Sequence, residues 1–346
     1  MGAAKPTLRD VAERAGVSLG TASNVLNNRD NVSDEARAKV VEAATALGYR
    51  MQVRVSAATR HSLSVVGAIG KIDDGQTMMI NPFYSYVLAG IEWECQRNNL
   101  SLMLANIMVD NLNRPPTLPP MLLDNHVDGV LLVGTFLEDT IQLVGKRFEK
   151  PVVLIDAYAP GSHFDSVVTD NISGAYAAVK YLIKQGHQKI ALVGSMPDSY
   201  PSIRERRKGY LRALKNHRIS DVYIEDSPLN REGGFDATCN LLQHSPEITA
   251  IFACNDEVAY GAILAARQLG RDVPDDLSVI GFDDIDLARQ MSPALTTVRV
   301  DKRLMGTLAV QYLVARAENP GNSALTTLIS TQIVVRDSVK ALNARS

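Results

Sequence analysis

The chain has 346 residues, of which 46% are hydrophobic and 21% charged, and its formal net charge is −2. That length suits two or three folding units with a sizeable core, and the balance excludes a disordered or fibrous chain. No stretch reads as a signal peptide and no apolar run is long enough to span a bilayer, so no membrane partner is expected. The charge is uneven. Residues 1–62 carry nine Lys/Arg against six Asp/Glu, so a head of +3 precedes a body of −5. A basic head on an acidic body fits a small module drawn to phosphate on a body that is not. Cys95, Cys239 and Cys254 have no metal spacing and predict buried thiols in a reducing cytoplasm, not a disulfide frame.

The segment from Thr7 to Ser33, TLRDVAERAGVSLGTASNVLNNRDNVS, has the layout of a helix-turn-helix. Thr7 is placed to cap a first helix whose apolar face is Leu8, Val11, Ala12 and Ala15. Gly16 permits a tight turn and Val17 plugs the space between the helices. Ser18 caps a second helix with Ala22, Val25 and Leu26 facing inward and Leu19, Gly20, Thr21 and Asn24 facing out. In this geometry the second helix enters the major groove and its N-terminal residues meet base edges. Ser33 opens a third helix, SDEARAKVVEAATALGY, with acidic residues in its first turn and Gly48 at its end.

This pattern resembles the lactose/galactose-repressor (LacI/GalR) family. Its signature is matched by Thr7, Asp10-Val11-Ala12, Ala15-Gly16-Val17-Ser18, Thr21 and Ser23, and further on by Val32, Ser33, Ala36 and Arg37. The resemblance implies a DNA-reading set of Thr7, Ser18, Leu19, Gly20, Thr21, Ser23, Asn24 and Asn31, with Arg54 and Ala58 from a hinge over residues 49–62. It also implies a homodimer on a pseudo-palindromic operator in double-stranded DNA.

From Leu63 the texture changes to short β-branched runs alternating with helical patterns. The spacing predicts strands at 64–70, 100–106, 127–134, 151–156, 189–194, 250–255 and 277–284. Helices are predicted between them, among them AYAAVKYLIKQG, IRERRKGYLRALKN and EVAYGAILAARQLG. Such alternation means parallel sheets with helices on both faces, which bind ligands beyond the carboxyl ends of their strands. Asp156, Asn255-Asp256 and Asp283-Asp284 end three of these runs. Aspartates there are also common caps and turn formers: Asp256 reads as a cap for EVAYGAIL and Asp284 as a turn residue.

The resemblance extends through KYLIKQGHQKIALVG, RRKGYLRAL, AIFACNDEVAYGAILAARQLGRDVPDDLSVIGFDDI and SPALTTVRVD. It implies a periplasmic-binding-protein-like α/β body over 63–340 behind the all-α head of 1–48. Within it, the N-subdomain is expected at about 63–160 plus 294–324 and the C-subdomain at about 161–293 plus 325–340. A small molecule would lie between them, held by Arg206 before Gly209-Tyr210, Asp283 of G-F-D-D, Asn255 of N-D-x-x-A, and Asp156. Phe83 and Tyr84 would give an aromatic floor and Phe235 a second apolar wall. Hydroxyl acceptors, one Arg and an aromatic floor read as a carbohydrate site, with a purine or other polar metabolite as the alternative. No catalytic set, phosphate loop, metal spacing or cofactor motif is evident, so a non-enzyme is expected. The chain is therefore expected to be a ligand-responsive transcription regulator, of repressor type by this resemblance; the body alone would also suit a soluble sugar-binding protein.

Two departures from the family bear on DNA reading. In the hinge, Met51 replaces a proline, Gln52 an asparagine, and Ala58 a leucine that wedges into the minor groove. Alanine has little to insert, so less bending or a different docking is expected, with Arg54 and Arg60 left to contact phosphate. On the recognition helix Asn24 stands where Arg or His is frequent. Asparagine best fits adenine N6/N7, and Gly20 offers no side chain.

Overall fold

A computed structural model describes residues 6–26, 32–47, 63–72, 77–109, 115, 117–134, 138–159, 161, 163–196 and 199–342. The chain divides into two compact units, residues 1–60 and 61–346.

The first unit packs three helices: α1 (Leu8–Ala15), α2 (Leu19–Leu26) and α3 (Asp34–Leu47). Thr7 and Asp10 form a reciprocal capping box. The Thr7 Oγ1 accepts from the Asp10 N–H at 3.4 Å, and the Asp10 carboxylate accepts from the Thr7 N–H at 2.7 Å. Gly16 closes α1 in the left-handed region at φ 64°, and the Val17 N–H reaches back to the Ala12 carbonyl. Ser18 caps α2 by accepting from the Thr21 N–H at 3.0 Å. Val11, Ala12, Ala15, Ala22, Val25, Val40, Ala43 and Ala44 form the core that these caps organise.

The second unit alternates strands and helices. In chain order these are β1 (Val65–Lys71), α4 (Tyr84–Arg97), β2 (Ser101–Ile107), α5 (Pro120–Leu123), β3 (Gly129–Val133), α6 (Glu138–Arg147), β4 (Val152–Ile155) and β5 (Asp165–Thr169). Then follow α7 (Asn171–Lys184), β6 (Ile190–Val193), α8 (Pro201–Asn216), β7 (Tyr223–Glu225), α9 (Arg231–His244), β8 (Ala250–Ala253) and α10 (Asp256–Gln268). The last elements are β9 (Ser278–Asp283), α11 (Asp286–Gln290), β10 (Thr296–Arg299), α12 (Lys302–Glu318), β11 (Thr326–Ile329) and β12 (Gln332–Val334).

They build two six-stranded sheets. The first has the order β11-β5-β4-β3-β1-β2 and is parallel throughout. The second has the order β12-β10-β9-β8-β6-β7 and is parallel except for β10–β12. Central strands buried on both faces explain the unbroken apolar runs of β3, β4, β6 and β8. One core cluster, with Val66, Ile91 and Leu313 as well as Phe252 and Phe282, continues through both sheets.

The sheets correct the expected subdomain boundaries. β5 and β11 pair within the first sheet, whereas residues 165–169 and 326–329 were expected in the second subdomain. β10 pairs with β9 in the second sheet, whereas 296–299 were expected in the first. The chain thus crosses after Thr169, Arg299 and Ile329. The physical reason is pairing: β5 is a complete inner strand that fills the ladder beside β4, and the expected boundary cut before it.

Candidate functional site

The carboxyl ends of both sheets carry charged side chains from different elements. Arg206, on the second turn of α8, is 5% exposed, and each of its three guanidinium nitrogens donates one hydrogen bond. Its Nε donates to Asn171 Oδ1 at 3.0 Å, Nη1 to the Cys254 carbonyl at 2.5 Å, and Nη2 to Asp283 Oδ1 at 3.0 Å. The guanidinium carbon lies 3.8 Å from the centroid of the Phe282 ring, a cation–π contact. Asp283 ends β9 at φ 107° and is buried. Burial pushes its carboxyl above the ordinary value, and Arg206 and Lys302 oppose that rise. Asn171, first residue of α7, is held from both sides: Nδ2 donates to the Thr169 carbonyl at 3.1 Å and to Glu205 at 3.4 Å.

The first sheet supplies the opposing edge. Asp156 follows β4 at φ 57°, a left-handed turn that aspartate tolerates. The Tyr84 hydroxyl donates to its carboxylate at 2.9 Å. Asn81 Oδ1 accepts from the N–H groups of Phe83 and Tyr84 at 2.9 and 3.1 Å, which fixes the aromatic pair at the head of α4. Their rings meet edge to face, 5.1 Å apart. The Asp156 carboxyl is pushed up to about 6, chiefly by burial. Arg206 and Tyr84 pull it down, while Asp283 and Glu205 push it further up. The two strand edges meet where Tyr158, two residues past Asp156, donates to Glu205, the neighbour of Arg206.

Further polar contacts join the two sheets around this site. Tyr86 of α4 donates to Asp286 of α11. Lys302, first residue of α12, donates to the carbonyls of Asp283 and Asp284 at 2.5 and 3.0 Å. Its ammonium also lies 5.8 Å from the Phe83 ring centroid, and burial lowers its pKa. The cluster offers carboxylate acceptors, one planar donor fork and aromatic faces in a desolvated setting, which is the equipment for orienting a small polar molecule.

Not every expected residue joins it. Asn255 is the N-cap of α10: its Oδ1 accepts from the Val258 N–H at 2.8 Å and its Nδ2 donates to the Leu229 carbonyl at 3.0 Å. The expectation that Asp256 caps this helix is therefore corrected. Asp256 is the first helical residue and is buried, accepting from the Ile285 N–H and the Thr297 hydroxyl at 2.8 and 2.5 Å. Asp284 turns the chain at φ 51° and holds Arg299 and Arg336 at 2.7 and 2.6 Å. Phe235 is half-buried on α9, and no described contact brings its ring to Arg206 or Asp283. On the head, Leu19 and Gly20 are exposed and Thr21, Ser23 and Asn24 half-buried along α2. Asn31, Arg54, Ala58 and the hinge over 49–62 lie outside the described residues.

Residues 7–52 match the profile "Bacterial regulatory proteins, lacI family", and residues 179–339 the profile "Periplasmic binding protein-like domain". The ribose operon repressor of Haemophilus influenzae is 33% identical over 341 residues, covering 97% of this chain and 99% of that one. The chain belongs to the lacI family of bacterial regulatory proteins. A lac repressor dimer bound to operator and an anti-inducer has the same fold. Its TM-score is 0.75 at 26% identity, with 98% of this chain and 100% of that one covered. A complex of the transcriptional regulator CelR with cellobiose gives 0.71 at 28% identity, over 96% and 99%.

This lacI-family regulator is thus a DNA-binding transcriptional regulator, and the relatives named are repressors and regulators, not enzymes. No helix among its described residues is long and apolar enough to cross a membrane. Asn171, Glu205, Tyr158 and Lys302 were missed in the sequence. Asn171 had a signal: SVVTDN is a strand with a polar end, like those that flagged Asp156 and Asp283. Glu205 was masked by the charge run RERR, and Lys302 by its place just past a strand.

Proposed function

We propose that the regulator binds a pseudo-palindromic operator as a homodimer, and that a small hydroxylated molecule between the two sheets changes its operator affinity. The observation that carries this reading is the Tyr158–Glu205 hydrogen bond, which brings the Asp156–Tyr84 edge of one sheet beside the Arg206, Asn171 and Asp283 cluster of the other. Asp156, Glu205 and Asp283 are acceptors, so a ligand with several hydroxyl donors fits better than a phosphate or carboxylate. Arg206 serves ring or hydroxyl oxygens, and Phe83 and Tyr84 offer faces to C–H surfaces. A sugar or sugar derivative has this chemistry, and the relatives named for ribose and cellobiose support it. The cleft binds without turnover. The free thiols, with Cys95 and Cys254 buried, suit a reducing cytoplasm, where operator DNA also lies.

We take the sugar as an inducer. A thermal-shift screen of sugars, nucleobases and sugar phosphates finds the ligand, because a molecule bound only by the native state raises Tm. Operator titrations with and without it then give the sign. Coupling is reciprocal, so operator must weaken sugar binding by the factor by which sugar weakens operator binding. Arg206→Ala and Asp283→Ala should both abolish the response. A full response in both variants removes this cleft from the mechanism, and tighter operator binding with sugar makes the ligand a corepressor.

A further inference from the structure

Helix α2 carries no cation: its eight residues are Leu-Gly-Thr-Ala-Ser-Asn-Val-Leu. Guanine is read in the major groove chiefly by a bidentate Arg or Lys, so α2 has no side chain of that kind. Its first residue is instead a branched hydrocarbon. Leu19 is 52% exposed, whereas Ala22 and Val25 of the same helix are buried in the head's core.

Gly20 beside it gives a second observation. Glycine is a poor helix former. A Cβ at this position would meet nothing closer than Ser18 Oγ, at 3.8 Å. Packing within the head therefore does not require a glycine here. A partner approaching the helix backbone closely does. The hydroxyls flanking this point are engaged with each other: Ser18 Oγ and Thr21 Oγ1 lie 2.8 Å apart. Asn24 follows Gly20 by one helical turn on the same face, and its amide matches the adenine edge.

In the major groove the one apolar group that a base pair presents is the C5-methyl of thymine. We propose that Leu19 reads a thymine in each operator half-site through that methyl group, with Gly20 letting α2 close to contact distance. The head then selects A·T pairs beneath the first turns of α2. This inference rests on the DNA-binding role of the head.

The test uses the full-length regulator to select duplexes from a random library. Fluorescence anisotropy then compares the selected duplex with versions in which each thymine in turn is deoxyuridine, a change that deletes only the methyl. One thymine per half-site should weaken binding about four-fold when replaced, and about fifteen-fold when replaced in both half-sites, from ~0.8 kcal/mol per buried methylene-sized group. Leu19→Ala should bind the thymine and deoxyuridine duplexes alike, and Leu19→Met should keep the difference. Insensitivity to deoxyuridine at every position overturns the proposal. So does a Leu19→Ala variant that keeps the penalty, or a guanine required under α2. Failure to select any sequence overturns the DNA-reading role itself, and this proposal with it.

Discussion

Arg206→Ala should be among the most costly single changes in the body. The side chain makes three hydrogen bonds, one of them to a buried carboxylate, and stacks on Phe282. Truncation leaves Asp283 buried without its ion-pair partner, which typically costs about 3–5 kcal/mol. Part of that loss is the stranded charge. Arg206→Ala combined with Asp283→Asn should therefore recover at least about 1 kcal/mol. The deficit should also depend on pH. Burial already raises the Asp283 carboxyl, and Arg206 opposes the rise. Without Arg206 the folded state holds that proton still more tightly than the unfolded state. Stability then falls as pH rises from the ordinary carboxylate range towards the raised value, and the deficit shrinks as pH is lowered. Urea unfolding followed by circular dichroism at pH 5 and pH 7 measures both effects. Trp93 is largely exposed and would be a poor fluorescent reporter of the core. A loss under about 1 kcal/mol, or a double variant weaker than the single one, would refute the reasoning.

Three further outcomes follow from the same geometry. Asp156 is pushed up to about 6, and its ionised form is the better acceptor, so sugar affinity should rise between pH 5 and pH 7; Asp156→Asn should flatten that rise in calorimetric titrations. Lys302→Met leaves the carbonyls of Asp283 and Asp284 without their shared donor, and effector affinity should fall about tenfold by calorimetry, from ~1.4 kcal/mol lost. A Cβ at Gly306 would lie 2.1 Å from the Val87 carbonyl, so Gly306→Ala must push α12 off α4 and should lower stability by about 1–3 kcal/mol or more in urea melts.

The head and most of the two sheets were legible because their signals are local. Thr7, Gly16 and Ser18 act on residues within a turn of themselves, and β3, β4, β6 and β8 are unbroken apolar runs. The strands that escaped are those whose identity comes from a distant neighbour. β5 begins with a buried aspartate, made acceptable by distant partners: the Arg316 ion pair at 2.8 Å across 151 positions, and the Leu325 N–H. β11 and β12 are short, partly exposed edges that look like loop until paired. The site was half legible for a similar reason. Arg206, Asp156 and Asp283 stood out as charges at strand ends or in a family motif, whereas Asn171 and Lys302 gain meaning only from what they touch. A strand-end amide such as Asn255 looks the same in sequence whether it meets a ligand or caps the next helix, and its capping of α10 shows only in the fold.

The order of strands in the first sheet also bears on how the protein is made. β5 ends at Thr169, and its outer neighbour β11 begins at Thr326. About 160 residues separate them, so at ~5–20 residues per second the ribosome needs roughly 8–30 s to deliver the missing strand. Throughout that interval the nascent chain offers an open edge of Ser166, Val167 and Val168, while the second sheet is still being synthesised. Asp165, whose carboxylate waits for Arg316 and the Leu325 N–H, places a charge at the start of that edge. An inward-pointing charge on an unpaired strand opposes edge-to-edge association with other chains. The buried ion pair of the finished protein is therefore also a guard on the unfinished one.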